Sequence, residues 1–126
     1  MRVAIDHFTD PICPWAFSAE RQRLRIAWLY GDQLALTTRM VVLSRTPEEA
    51  LARGFSLELL ERGLALIQGR FGMPIAVARP ARHVASVVPC RAVVAARRHA
   101  PDAAEALLRE LRVRHMAGTA VIDEPE

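Results

Sequence analysis

The sequence predicts an α/β chain that opens with a βαβ unit and continues in helices to its end. Residues 2–8, "RVAIDHF", and 34–44, "LALTTRMVVLS", have strand character and flank one helical stretch. From Thr46 onward the four segments open on helix-start signals, and three of them close near a glycine. With 126 residues, there is chain for one domain that buries roughly two thirds of its unfolded surface.

In the first strand, Val3, Ile5 and His7 alternate with Arg2, Ala4, Asp6 and Phe8, until Asp10 and Pro11 break the pattern. Pro14 suits the first turn of a helix, where its missing N–H costs nothing. Phe17, Leu24, Ile26 and Trp28 recur at helical spacing among Glu20, Arg21, Arg23 and Arg25, and Gly31 is the expected stop. A helix between two strands implies that the strands are parallel. Thr46 is the expected cap of the next helix, with Pro47 in its first position, acids in its first turn and Gly54 beyond its end. Ser56 can cap "LELLERGLALIQGRF", and residues 72–82 form a turn-rich loop. Ser86 can cap "VVPCRAVVAARRHA", where Pro89 is tolerated within the first turn. The last helix runs from Pro101 to near Gly118. Two parallel strands make a poor sheet, because parallel sheets bury both faces. The sequence is therefore expected to be the front portion of something larger.

Composition excludes several function classes. All 17 basic residues are Arg, dispersed along the chain, and the formal charge is only +3. A nucleic-acid footprint needs a clustered basic stripe, so no nucleic-acid partner is expected. No apolar run approaches the ~20 residues of a membrane helix, and no membrane partner is expected. "MRVAIDHF" does not read as a secretory signal, so the expected compartment is the cytoplasm. Two cysteines there do not suggest a disulfide framework.

Cys13 carries the chemistry. A cysteine at a helix N-terminus faces unpaired backbone N–H groups and the positive end of the helix dipole. Both favour the thiolate, which is the nucleophilic form. His7, six residues earlier, is a possible support for that anion, or simply a strand-end residue. Asp10 is expected to cap or turn the loop before Cys13. Trp15 is expected as an exposed aromatic beside the thiol, with a packing role as the alternative. Cys90 lies in the apolar run "VASVVPCRAVVAA" and is expected to behave as a small hydrophobe. His83, His99 and His115 fall 16 residues apart, unlike the three-to-five spacing of zinc pairs, so surface or cap roles and no metal are expected. Met73-Pro74 would border the site if the helical block folds over it.

"DPICPW", residues 10–15, after a strand and opening a helix, resembles the active-site entrance of the thioredoxin superfamily. The Pro14-Trp15 pair, Asp10 and the later helical block are similar to the DsbA-like branch, especially its cytoplasmic FrnE-type group. The resemblance implies a thioredoxin-like βαβ half in residues 1–45 and an all-helical insertion domain in 46–118. Residues 119–126 would begin the second thioredoxin half, which is otherwise absent from this sequence. It also implies thiol-disulfide oxidoreductase-type activity with Cys13 as nucleophile, and Asp10, Pro14, Trp15 and Ala16 as the rest of the motif.

The family's second cysteine falls at Ala16. That removes the thiol that would resolve a mixed disulfide, and leaves a route completed by glutathione or another low-molecular-weight thiol. No bound cofactor is expected. The partners would be a thiol or disulfide substrate, protein or small molecule, and a second copy of the chain. The alternatives are a glutathione-dependent transferase or isomerase, of the kappa or 2-hydroxychromene-2-carboxylate isomerase type, and a redox-inactive binding protein on the same fold.

Overall fold

The computed structural model describes residues 1–78 and 80–124. Strand β1 (Val3–Thr9) lies parallel to β2 (Leu34–Met40), in a register that runs from Val3 opposite Leu34 to Thr9 opposite Met40. Helix α1 (Pro14–Tyr30) connects them through a 3₁₀ turn at Gly31–Gln33. Four helices follow: α2 (Pro47–Ala52), α3 (Leu57–Phe71), α4 (Val87–His99) and α5 (Pro101–Met116).

The capping chemistry read from the sequence accounts for most boundaries. Thr46 and Ser56 each accept a hydrogen bond from the backbone N–H three residues on, and Pro47 occupies the first turn of α2. Gly72 closes α3 in the left-handed conformation at φ 63°, which favours glycine there. Ser86 departs from expectation. It stands before α4 but caps nothing; its Oγ accepts from the backbone of Leu43 (3.1 Å) and Ser44 (3.4 Å) and so ties the end of the βαβ unit to α4.

Strand β2 is shorter than the predicted 34–44. A parallel strand needs a partner, and β1 ends at Thr9, so Val41 makes the last bond, donating to the Thr9 carbonyl at 2.8 Å. Beyond it, side chains of Asp10 and Ser86 take up the backbone donors of Leu43 and Ser44.

The core forms where the first half of α1 meets the helical block. Phe17, Ile67, Ile75 and Met116 are buried together, with Leu64, Phe71 and Met73 packed around them. The second half of α1 is a correction: Leu24, Ile26 and Trp28 are not a buried stripe, and Trp28 is 82% exposed. A helix is ~10 Å wide, whereas two strands span ~5 Å between their axes, so the ribbon cannot cover the helix face. The buried positions of α1 are instead Phe17, Ser18 and Glu20.

Helices α4 and α5 pack on each other and reach the ribbon with polar groups. Thr38 of β2 donates to Glu105 at 2.6 Å, and Arg97 donates to the Thr38 carbonyl. The loop between α3 and α4 is pinned from the far end of the chain, where Arg82 grips Asp123 with two bonds of 2.7 and 2.9 Å. His83 within it is buried rather than at the surface, and His115 is half-buried. The described residues 119–124 carry no strand; Pro125 and Glu126 of the predicted 119–126 segment, and Arg79 of the predicted 72–82 loop, lie outside the described residues.

Candidate active site

The chain passes from β1 into α1 through a turn that Asp10 builds. The Asp10 carboxylate is 2% exposed and accepts from the backbone of Ile12 (2.9 Å) with one oxygen and of Leu43 (3.0 Å) with the other. An aspartate that bonds the backbone two residues on makes an Asx-turn. The turn delivers Cys13 as the N-cap of α1, in extended backbone conformation, with its N–H bonded to the Asp10 carbonyl at 3.4 Å.

In that position Cys13 does what a capping serine does. Its Sγ accepts from the Ala16 N–H at 3.4 Å, and its carbonyl accepts the first helical bond, from Phe17 at 3.0 Å. The sulfur therefore occupies the place where a helix N-terminus offers donors and positive potential to an anion. Cys13 is part-exposed. Pro14 fills the first helical position and Ala16 sits one turn along, carrying no group that could attack a disulfide formed at Cys13.

Trp15 is 51% exposed and also packs, edge-on against Phe71 with ring centroids 5.9 Å apart. Phe71 in turn carries the Arg70 guanidinium at 5.4 Å from its centroid. The end of α3 is thus held beside the cysteine, and Met73 packs next to it around the same core.

His7 is on the strand rather than at its end, opposite Thr38. It lines a cavity of about 480 Å³ together with Ile5, Ala16, Glu20 and Arg23. Burial, then the charges of Arg23 and Arg112, hold its imidazole below the usual histidine value, so it favours the neutral form. Its Nδ1 is buried without a partner.

Two features escaped the sequence reading. Cys90 is buried in the core as expected, at 3% exposed, but its Sγ also lies 3.6 Å from the Asp10 carboxylate. Burial and the Asp10 charge push its thiol up to about 12. Arg112 of α5 is 1% exposed and donates to the Thr9 hydroxyl, just ahead of the Asp10 turn. Its signal was legible: Ala104, Leu108, Arg112 and Met116 are the buried positions of α5, one per turn, and Arg112 interrupts an otherwise apolar row. Among the described residues, no group of His, Cys, Asp and Glu is placed to hold a metal. No described helix is long and apolar enough to cross a membrane.

No protein-family model and no curated protein matches this sequence. Solved structures do resemble it. A Nitrosomonas europaea protein named as a protein disulfide isomerase superposes with a TM-score of 0.76 at 16% identity, over 98% of this chain and 60% of its own. The cytosolic disulfide reductase DsbM from Pseudomonas aeruginosa, solved with GSH, superposes with a TM-score of 0.71 at 21% identity, over 97% of this chain and 59% of its own. The fold is thus mixed α/β and thioredoxin-like, and this chain spans about 60% of the length of those structures.

Proposed function

We propose that this chain carries the nucleophilic half of a thiol-disulfide oxidoreductase and that Cys13 is its nucleophile. The observation that carries the proposal is the position of Sγ: N-cap of α1, bonded to the Ala16 N–H, on a part-exposed residue. The thiolate attacks one sulfur of a substrate disulfide, forming a Cys13 mixed disulfide and expelling the other sulfur as a thiolate, which takes a proton from water. Ala16 cannot resolve that intermediate. A second, external thiol therefore attacks it, takes the substrate sulfur as a new disulfide and returns Cys13 as thiolate. Glutathione or another small thiol of a reducing cytoplasm fits that role; the DsbM structure was solved with GSH.

Residues 1–45 would be the thioredoxin-like βαβ part, 46–118 a helical insertion, and 119–126 the approach to a second half outside this sequence. That second half would lie over Leu24, Ile26 and Trp28, whose exposure fits such a cover.

Incubation with glutathione disulfide, followed by intact-mass measurement, tests the reading. The wild type should gain one glutathione in mixed-disulfide linkage, lost again on adding reduced glutathione, and Cys13→Ser should gain none. Capture that persists in Cys13→Ser would overturn the assignment. Tight non-covalent binding of glutathione without any adduct would move the protein to the glutathione-transferase or isomerase class instead.

A further inference from the structure

Trp15 stands two residues after Cys13, half exposed, with its ring edge-on to Phe71 at 5.9 Å between centroids. The Arg70 guanidinium lies over that second ring, 5.4 Å from its centroid. These contacts run in series from the first turn of α1 to the last turn of α3 and end on a cation. Arg70 is exposed, and among the described residues no carboxylate pairs with it. Other exposed arginines differ. Arg53, Arg62 and Arg114 each hold the glutamate four residues earlier at 2.6 Å, whereas Arg70 has Leu66 at that place. A cation in a last turn complements the helix dipole, which accounts for a positive charge there. It does not account for the ring beneath the guanidinium, or for the second ring that joins it to the start of α1. Stacking occupies the face of a guanidinium and leaves its edge N–H donors free, and those donors match a carboxylate two at a time.

We propose that Trp15, Phe71 and Arg70 form a substrate subsite beside the nucleophile. The substrate chain lies on the exposed Trp15 ring, and Arg70 takes a carboxylate from it. Two rings separate the start of α1 from the guanidinium, so that carboxylate belongs one or two residues away from the reacting sulfur. The substrate class is therefore a disulfide flanked by carboxylates, a chemistry shared by glutathione disulfide and by a protein disulfide set between acidic residues. This deepens the reading of Cys13 as the reactive thiol and rests on it. The helical block thereby contributes selection as well as packing, since α3 supplies the charge that recognises what α1 attacks.

The test is the rate at which Cys13 forms a mixed disulfide with two matched pairs of probes, each adduct being assigned by peptide mass. One pair is glutathione disulfide and the disulfide of glutathione diethyl ester. The other is the disulfide of acetyl-Asp-Cys-Asp-amide and its Asn counterpart. Within a pair the size is nearly kept and carboxylates are removed; each acid-to-neutral rate ratio is normalised to that of a free cysteine peptide. Wild type should favour the acidic member of at least one pair about fivefold, the upper range for an exposed ion pair. Arg70→Gln should bring that ratio to within about twofold of one, and salt at about 0.5 M should lower the wild-type ratio. Arg62→Gln makes the same change in net charge elsewhere on α3, where Arg62 holds Glu58, and should keep the wild-type ratio. A preference for glutathione disulfide alone supports the subsite with a small thiol as its source; one for the peptide alone supports it with an acidic protein chain. No preference in wild type, or a preference that Arg70→Gln retains, would overturn the subsite and leave Cys13 as nucleophile. Failure of all four probes to load Cys13 would instead overturn the reading of Cys13 itself.

Discussion

Two helices of this chain begin beside a cysteine, and the same aspartate touches both beginnings. Cys13 caps α1, and its N–H bonds the Asp10 carbonyl. Cys90 lies in the first turn of α4, and its sulfur faces the Asp10 carboxylate at 3.6 Å. By position alone, both thiols should profit from a helix dipole. Their surroundings separate them. Cys13 is part-exposed and receives a backbone N–H, whereas Cys90 is sealed, presents its proton to a carboxylate, and is pushed up to about 12. A helix N-terminus offers potential, and access together with the nearest charge decides whether a sulfur can use it.

The largest expected difference between the two is in reactivity. At pH 8 a thiol titrating near 12 is ionised in only about one molecule in ten thousand, and Cys90 must also be uncovered before reagent reaches it. Native protein treated with iodoacetamide should therefore label Cys13 at least about a thousandfold faster than Cys90, with the second equivalent taken up only in denaturant. Peptide mass spectrometry reads this directly. Labelling of Cys90 within tenfold of Cys13 would dissolve the contrast.

A smaller effect is expected from cutting the link itself. Asp10→Ala strands the backbone donor of Ile12 and leaves Leu43 with only the Ser86 hydroxyl, and a donor left without its charged acceptor costs about 1–3 kcal/mol. The expected loss is about 2 kcal/mol in urea denaturation, a large share of the ~5–15 kcal/mol typical of a domain. Cys13 keeps its own hydrogen bonds in this variant, because it binds the Asp10 backbone, so its labelling should change by no more than about threefold. A loss below about 1 kcal/mol would mean that the turn holds without its carboxylate.

These expectations also mark what the sequence could and could not give. The start of α1, the Cys13 cap and the Asp10 turn follow from local rules, since a proline, a short polar side chain and a strand break lie within five residues. The Asp10–Cys90 contact spans 80 residues, and no local rule could pair them. The apolar run around Cys90 disclosed that the thiol is buried but not that a carboxylate waits there. Arg112 was half-legible, as a charge on the apolar row of α5; its destination at Thr9 depends on how α5 lies across β1. The failed stripe on α1 has a different cause. The spacing of Leu24, Ile26 and Trp28 marked a helix with an apolar face, and the described residues leave that face exposed.

The smallest and most specific difference is in alkaline stability. The Cys90 thiol stands at an ordinary 9.0 in the open chain and at about 12 in the folded one. Below pH 9 both states hold the proton and its contribution is constant. Between 9 and 12 the unfolded chain has released it while the native protein retains it, so raising the pH favours unfolding. The stability tied to this thiol is therefore fully present below pH 9 and is lost progressively towards pH 12. Cys90→Ala has no such proton to keep. Its melting temperature should fall less than that of the wild type between pH 8.5 and 10.5, by roughly 5–10 °C, whatever offset the lost packing adds at both pH values. Because the comparison is between slopes, the general alkaline softening of the fold cancels. Parallel slopes would mean that Cys90 releases its proton as easily in the native protein as in the open chain, and the distinction between the two helix starts would then rest on access alone.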